Sequence, residues 1–195
     1  MKRIFLGIPI SEEIRDKIKD FQTELSQFVG LKLVPPENLH FTLKFLGEVE
    51  EDKISEIRDS LHQVDWGNKF DLVVKMMGVF SNENYIKVIW LGVEDDSQLK
   101  SLFQKVEDQL GKQFPQDFEF TAHLTLARVK FVEDNKTTSR FKLSYSESKQ
   151  KLLDFLERNK EVEVGESEVN KVILYESVLG TAGPEYSVLE EFNLD

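Results

Sequence analysis

Two histidines in the chain share a local pattern: His40-Phe41-Thr42-Leu43 and His123-Leu124-Thr125-Leu126. Both stretches read as strands, in which successive side chains point to opposite faces. Each imidazole therefore stands beside the threonine two residues on, while Phe41 and Leu124 point the other way, into apolar packing. Imidazole titrates near neutral pH, so one ring can hold a proton while a second accepts one. In-line displacement at phosphorus needs both, on opposite sides of the reacting atom. Threonine hydroxyls suit the non-bridging oxygens, where negative charge gathers. A lone strand histidine is more often structural. The same His-x-Thr-Leu at equivalent places in two similar units is a poor fit to coincidence. The third histidine, His62, lies off the apolar face of its helix with no threonine partner, and reads as a surface residue.

Basic residues near the two motifs offer charge for a phosphate. The segment Thr121 to Lys130 carries Arg128 and Lys130 with no acid, and Leu31 to Leu46 carries Lys32 and Lys44 against Glu37. Strict alternation from His40 puts Lys44 on the site face. The same rule from His123 puts Arg128 on the opposite face, so Arg128 reaches a phosphate only through a bulge or at the strand end. Lys44, Lys32 and Arg128 are the cations that could add positive charge at the phosphate. Lys44 and Arg128 are the candidate substrate-binding residues alongside Thr42 and Thr125, and for each of these basic residues a solvated surface role is an equal alternative. A metal site is poorly supported, since neither motif has an Asp or Glu next to its histidine. No cofactor is expected.

The elements that must carry these residues follow from periodicity. Ile4 to Ile10 reads as a buried strand. A helix follows, with Ser11 as N-cap, Glu12 and Glu13 in its first turn, Ile14, Ile18, Phe21, Leu25 and Phe28 on one face, and Gly30 beyond its end. Pro35-Pro36 forces an extended approach to the strand Leu39 to Leu46. A helix carrying Ile54, Ile57, Leu61 and Val64 comes next, then strands near Phe70 to Phe80 and Tyr85 to Val93, separated by the turn-prone Ser81 to Asn84. The second half repeats the order. A helix carries Leu99, Leu102, Phe103, Val106 and Leu110, a strand spans Phe118 to Val132, a helix runs from about Ser146 to Asn159, and strands follow near Glu161 to Val164, Lys171 to Val178 and Tyr186 to Phe192. The order strand, helix, strand, helix, strand occurs twice, as in an internal duplication of one supersecondary unit. Residues 1–195 form a single domain of two lobes facing each other.

Composition narrows the partners. With 36 acidic and 25 basic residues the net charge is −11, which does not supply the broad cationic face that binds nucleic acid along its length. A small substrate or a strand terminus remains open. The absence of cysteine excludes thiolate chemistry and disulfides, and fits a cytoplasmic protein. No apolar run approaches the roughly 20 residues that span a bilayer, and a monomer is expected.

Taken together, these residues resemble the 2H phosphoesterase superfamily, specifically the RNA 2′,3′-cyclic phosphodiesterases, also called 2′-5′ RNA ligases. The resemblance spans nearly the whole chain. It rests on Arg3-Ile4-Phe5, on Val34-Pro35-Pro36-Glu37-Asn38-Leu39-His40, on Phe45-Leu46-Gly47-Glu48-Val49, on His123-Leu124-Thr125-Leu126-Ala127-Arg128 and on Glu176-Ser177-Val178-Leu179 with Gly183-Pro184 and Tyr186. It implies a bilobal α+β fold in which two mainly antiparallel sheets form a central groove, with helices packed outside. It further implies hydrolysis of a terminal RNA 2′,3′-cyclic phosphate to a 2′-phosphomonoester. By the same resemblance His40 is the proton donor, His123 the proton acceptor, and Thr42 and Thr125 are phosphate ligands. Two departures stand out: Leu33 replaces an aromatic residue, and Thr121-Ala122 replaces a basic residue and a proline. Other readings are 2′-5′ ligation, hydrolysis of a small substrate such as ADP-ribose cyclic phosphate, and a nucleotide-binding module without turnover. Hydrolysis is favoured over ligation because water at about 55 M competes with any strand end.

Overall fold

The computed structural model of the chain describes residues 1–28, 30–82, 85–117, 119–129, 139–181 and 183–195. The strands are β1 (Lys2–Pro9), β2 (Leu31–Leu33), β3 (His40–Val49), β4 (Phe70–Asn82), β5 (Tyr85–Val93), β6 (Leu124–Val129), β7 (Glu163–Val169), β8 (Lys171–Leu179) and β9 (Pro184–Asn193). The helices are α1 (Glu12–Leu25), α2 (Glu51–Leu61), α3 (Ser97–Leu110) and α4 (Ser139–Arg158), with a single 3₁₀ turn at Pro36–Asn38.

The expected cap of α1 is present: the Ser11 hydroxyl accepts the Ile14 N–H at 3.3 Å, and Ile14, Ile18 and Leu25 are buried. Helix α4 begins earlier than its apolar spacing alone suggested. Strand β6 is shorter than the expected Phe118 to Val132; Phe118, Lys130 and residues 131 and 132 lie outside the described residues, as do Glu83 and Asn84 of the expected turn.

The strands order as β7-β4-β5-β6-β3-β1-β8-β9, with β2 on β6 beside the end of β3. Every ladder is antiparallel. These nine strands form one sheet with two halves, each built outward from a motif strand. They join at their inner edges by one pair, Phe41 opposite Leu124. The α+β architecture is therefore one antiparallel sheet whose two halves meet edge to edge between β6 and β3. Helix α3 packs on β3 and α1 on β6 and β7. The residues that face these helices, Phe41, Leu43, Leu124 and Leu126, are all buried. The alternate residues, which carry the histidines, face the other way.

Candidate active site

The Phe41–Leu124 pair sets the geometry of the two motifs. Antiparallel register about that pair brings His40 beside Thr125 and Thr42 beside His123, on the face away from the helices. The histidines are then diagonal neighbours, on the order of 7–8 Å apart or more as the strands splay. Arg128 acts on both rings, and the His123 charge acts on His40 as well.

Both rings are oriented by the same device. His40 Nδ1 lies 2.7 Å from the carbonyl of Asn38, and His123 Nδ1 lies 2.8 Å from the carbonyl of Thr121, in each case two residues upstream. A carbonyl only accepts, so Nδ1 carries the hydrogen in both rings and Nε2 is left for chemistry. In His40, Nε2 stands 3.0 Å from Thr42 Oγ1, whose hydroxyl donates to the neutral ring. Thr121 acts through its backbone, so the change of side chain at that position leaves the orienting bond intact.

The two rings differ in their surroundings. His40 packs against Phe5, Tyr186 and Tyr175, with centroid separations of 4.8, 5.4 and 6.0 Å. Burial among these rings pulls its pKa down to about 4, with further lowering from the His123 and Arg128 charges. His123 meets Phe80 edge-on at 4.8 Å, and burial lowers its pKa as well. Gly7 makes the close approach of His40 possible, since a β-carbon there would stand 3.0 Å from His40 Cδ2 and 3.2 Å from the Phe41 carbonyl. Gly78 does the same for Trp90, which lies opposite Thr125 and stacks near Phe80; a β-carbon at Gly78 would meet the indole at 2.4 Å.

The expectation for Lys44 is overturned. β3 carries a bulge where Gly7 pairs with Thr42 but Leu6 pairs with Lys44, so Leu43 is the extra residue and the alternation inverts after it. Lys44 turns toward α3, where it is 1 % exposed. Its ammonium donates to Glu107 Oε1 at 2.5 Å, the Pro115 carbonyl at 2.8 Å and Asp117 Oδ2 at 3.1 Å. Phe45 takes the groove face instead.

β6 has the matching bulge, and here it favours the site. Trp90 pairs with Thr125 and Ile89 with Ala127, so Leu126 is the extra residue and Arg128 returns to the histidine face, where it is exposed. Gln22 of α1, a residue for which periodicity offers no signal, clamps this bulge: its amide donates to the Leu126 carbonyl at 3.2 Å and the Val34 carbonyl at 2.6 Å. Asn38 is the other residue that sequence reasoning missed. Its carbonyl orients His40 while its amide donates to the Pro184 carbonyl at 2.7 Å, fastening the start of β9 and its Tyr186 beside the ring. The stretch Pro35 to Leu39 marked the segment but not this double role. Leu33 is partly buried against the core, so the aromatic surface comes from Phe5, Tyr175 and Tyr186.

Among the described residues no cluster of three or more His, Cys, Asp or Glu is arranged to hold a metal ion. Nor is any described helix long and apolar enough to cross a membrane. His62 is exposed at the end of α2, 3.6 Å from Glu190.

A family model described as LigT-like phosphoesterase matches residues 8–90. An RNA 2′,3′-cyclic phosphodiesterase of Methanocaldococcus jannaschii is 37% identical over 191 residues, covering 97% of this chain and 99% of the relative. One of Archaeoglobus fulgidus is 34% identical with the same coverage. Among solved structures, the protein TT0787 of Thermus thermophilus superposes with a TM-score of 0.74 at 30% identity, covering 98% of this chain and 97% of that one. E. coli LigT complexed with 3′-AMP superposes with a TM-score of 0.72 at 22% identity, covering 99% and 98%, which speaks to the fold alone. Two His-x-Thr strands meeting in one groove, and relatives that match from end to end, place this chain in the LigT-like phosphoesterase family of 2H phosphoesterases.

Proposed function

We propose that the protein hydrolyses the 2′,3′-cyclic phosphate at the end of an RNA to a 2′-phosphomonoester, without a metal. The observation that carries this reading is the pair of imidazoles on one face where β3 meets the start of β6, each with Nδ1–H spent on a backbone carbonyl and Nε2 left for proton transfer. His123 takes a proton from the attacking water as its oxygen bonds to phosphorus. His40 gives one to the 3′ oxygen as the P–O3′ bond breaks, so the proton count balances and the phosphate stays on O2′. Thr42, Thr125 and Arg128 hold the non-bridging oxygens.

The low pKa of His40 fits this role once the substrate's charge is included. A ring held near 4 by burial is neutral at pH 7. The same low dielectric strengthens its attraction to an arriving phosphate anion, which favours the protonated ring. On protonation Nε2 becomes a donor, and the Thr42 hydroxyl, no longer needed to donate to it, is released to the phosphate.

The fold is read as one domain whose two lobes arose by duplication, acting as a monomer in the cytoplasm. The test of the activity is incubation of the protein, with chelator, with an RNA ending in a 2′,3′-cyclic phosphate, comparing wild type, H40A and H123A and locating the product phosphate. Each substitution is expected to cost about 10²-fold or more in kcat. Near-full activity in either variant, or loss of wild-type activity to the chelator, overturns the mechanism.

A further inference from the structure

The basic residues around the groove are unevenly placed. Lys32 is the direct cross-strand partner of Arg128 in the β2–β6 ladder, so the two side chains stand on the same face, and the bulge at Leu126 makes that the histidine face. Lys32 also reaches the turn between β8 and β9. Its Nζ lies 3.0 Å from where a β-carbon on Gly183 would stand, so this turn approaches the ammonium as closely as a residue without a side chain allows. The turn is held to the first motif by the Asn38 amide on the Pro184 carbonyl.

Among the described residues neither Lys32 nor Arg128 has a carboxylate within 4.0 Å, in a chain with 36 acidic residues. Other described cations divide between those in ion pairs, among them Lys44, Arg58, Lys75, Arg158 and Lys171, and those without, such as Lys53 and Lys112, so what sets Lys32 and Arg128 apart is that two unpaired cations adjoin on the histidine face. On the other side of the histidine pair, Trp90 stands over Gly78 and Gly92 with the Phe80 ring tilted against it, and Lys75 is tied to Glu94. A cyclic phosphate carries one negative charge, and Thr42, Thr125 and Arg128 already answer it. A second unpaired cation next to the first calls for a second anion on that side. Cross-strand neighbours stand about 5 Å apart at their β-carbons and long side chains splay beyond that, so the pair can grip two phosphates of one chain.

Resting on the hydrolase reading above, we propose that Lys32, beside Arg128 and the Gly183 turn, forms a second phosphate subsite that holds the phosphodiester one nucleotide upstream of the cyclic end. The preferred substrate is then a chain end and not a cyclic mononucleotide, with the upstream backbone leaving the groove past β2 and the β8–β9 turn.

The experiment compares kcat/KM for adenosine 2′,3′-cyclic monophosphate, for the ApA dinucleotide ending in a 2′,3′-cyclic phosphate, and for the same dinucleotide with a neutral methylphosphonate linkage. Wild type is expected to prefer the charged dinucleotide over the mononucleotide by about tenfold or more, from one charge-assisted contact. The neutral linkage should abolish that preference. K32A should shrink the ratio to that of the neutral substrate, mainly through KM, and K32R should restore most of it. Equal handling of all three substrates by wild type overturns the subsite, as does a K32A variant that loses the same factor on mononucleotide and dinucleotide. Absence of turnover on every cyclic-ended substrate strikes the hydrolase reading itself, and the subsite falls with it.

Discussion

His40 folds into the groove at a cost that pH exposes. In the unfolded chain its imidazole protonates at about 6.5, whereas in the folded protein burial against Phe5 and Tyr186 delays protonation to about 4. Between those values the unfolded state binds the proton and the folded state does not, so stability rises with pH across that window and is lost as pH falls through it. A shift of this size corresponds to up to about 3 kcal/mol, reduced by whatever solvent reaches the ring. His123, lowered by the same cause, adds to the slope in the same direction. Urea unfolding measured from about pH 7 down to about pH 4 should show stability falling on acidification, and H40N should flatten that fall. An unchanged slope in H40N would mean that the ring is not held neutral by burial. The two rings are alike in their motifs and their carbonyl partners, and the deeper burial of His40 comes from the aromatic side chains of other strands, which no short motif reports.

Bulges decide which residues of the motif strands belong to the site. Periodicity carried the reading a long way: the α1 cap at Ser11, the strand position of His40 and the buried partners Phe41 and Leu124 follow from it, while His123 stands immediately before β6 and not inside it. What alternation does not carry is an extra residue. One at Leu43 sends Lys44 to α3, and one at Leu126 sends Arg128 to the groove. Both depend on partners distant in sequence, Glu107 and Asp117 for the first and Gln22 for the second. The β3 bulge is thus locked by a buried ion pair, and removing one partner of such a pair leaves the other charge without compensation. K44M should therefore lower the unfolding free energy by about 3–5 kcal/mol, read from a urea midpoint at unchanged slope. Removing both charges in K44M/E107L should recover most of that loss, because two apolar side chains can fill the space that the pair occupied. Were Lys44 a phosphate ligand on the groove, K44M would cost little stability and the second substitution would restore nothing.

At the scale of the whole molecule, the groove is a small cationic site in a strongly anionic body. The net charge of −11 works against an approaching polyanion at long range, while Arg128 and Lys32 attract it only near the two motif strands. The single pair that joins the two halves of the sheet, Phe41 with Leu124, brings the two motifs together at one place, while β8 and β9 reach it only through Tyr175, Tyr186 and the residues near Pro184. Extended nucleic-acid binders neutralise many phosphates and lose affinity steeply with salt. This protein, with two or three cations near the histidines, should show a slope of log kcat/KM against log salt of only about −1 to −2 on a single-stranded substrate. Screening of the body's own repulsion makes the slope shallower still. For the same reason, lengthening the RNA beyond about three nucleotides should bring no further gain in KM, since added phosphates meet an acidic surface. Kinetics on a ladder of cyclic-ended oligonucleotides at several salt concentrations would measure both. A slope approaching that of six or more phosphate contacts, or a KM that keeps falling with length, would require a long cationic track, which the net charge of this chain argues against.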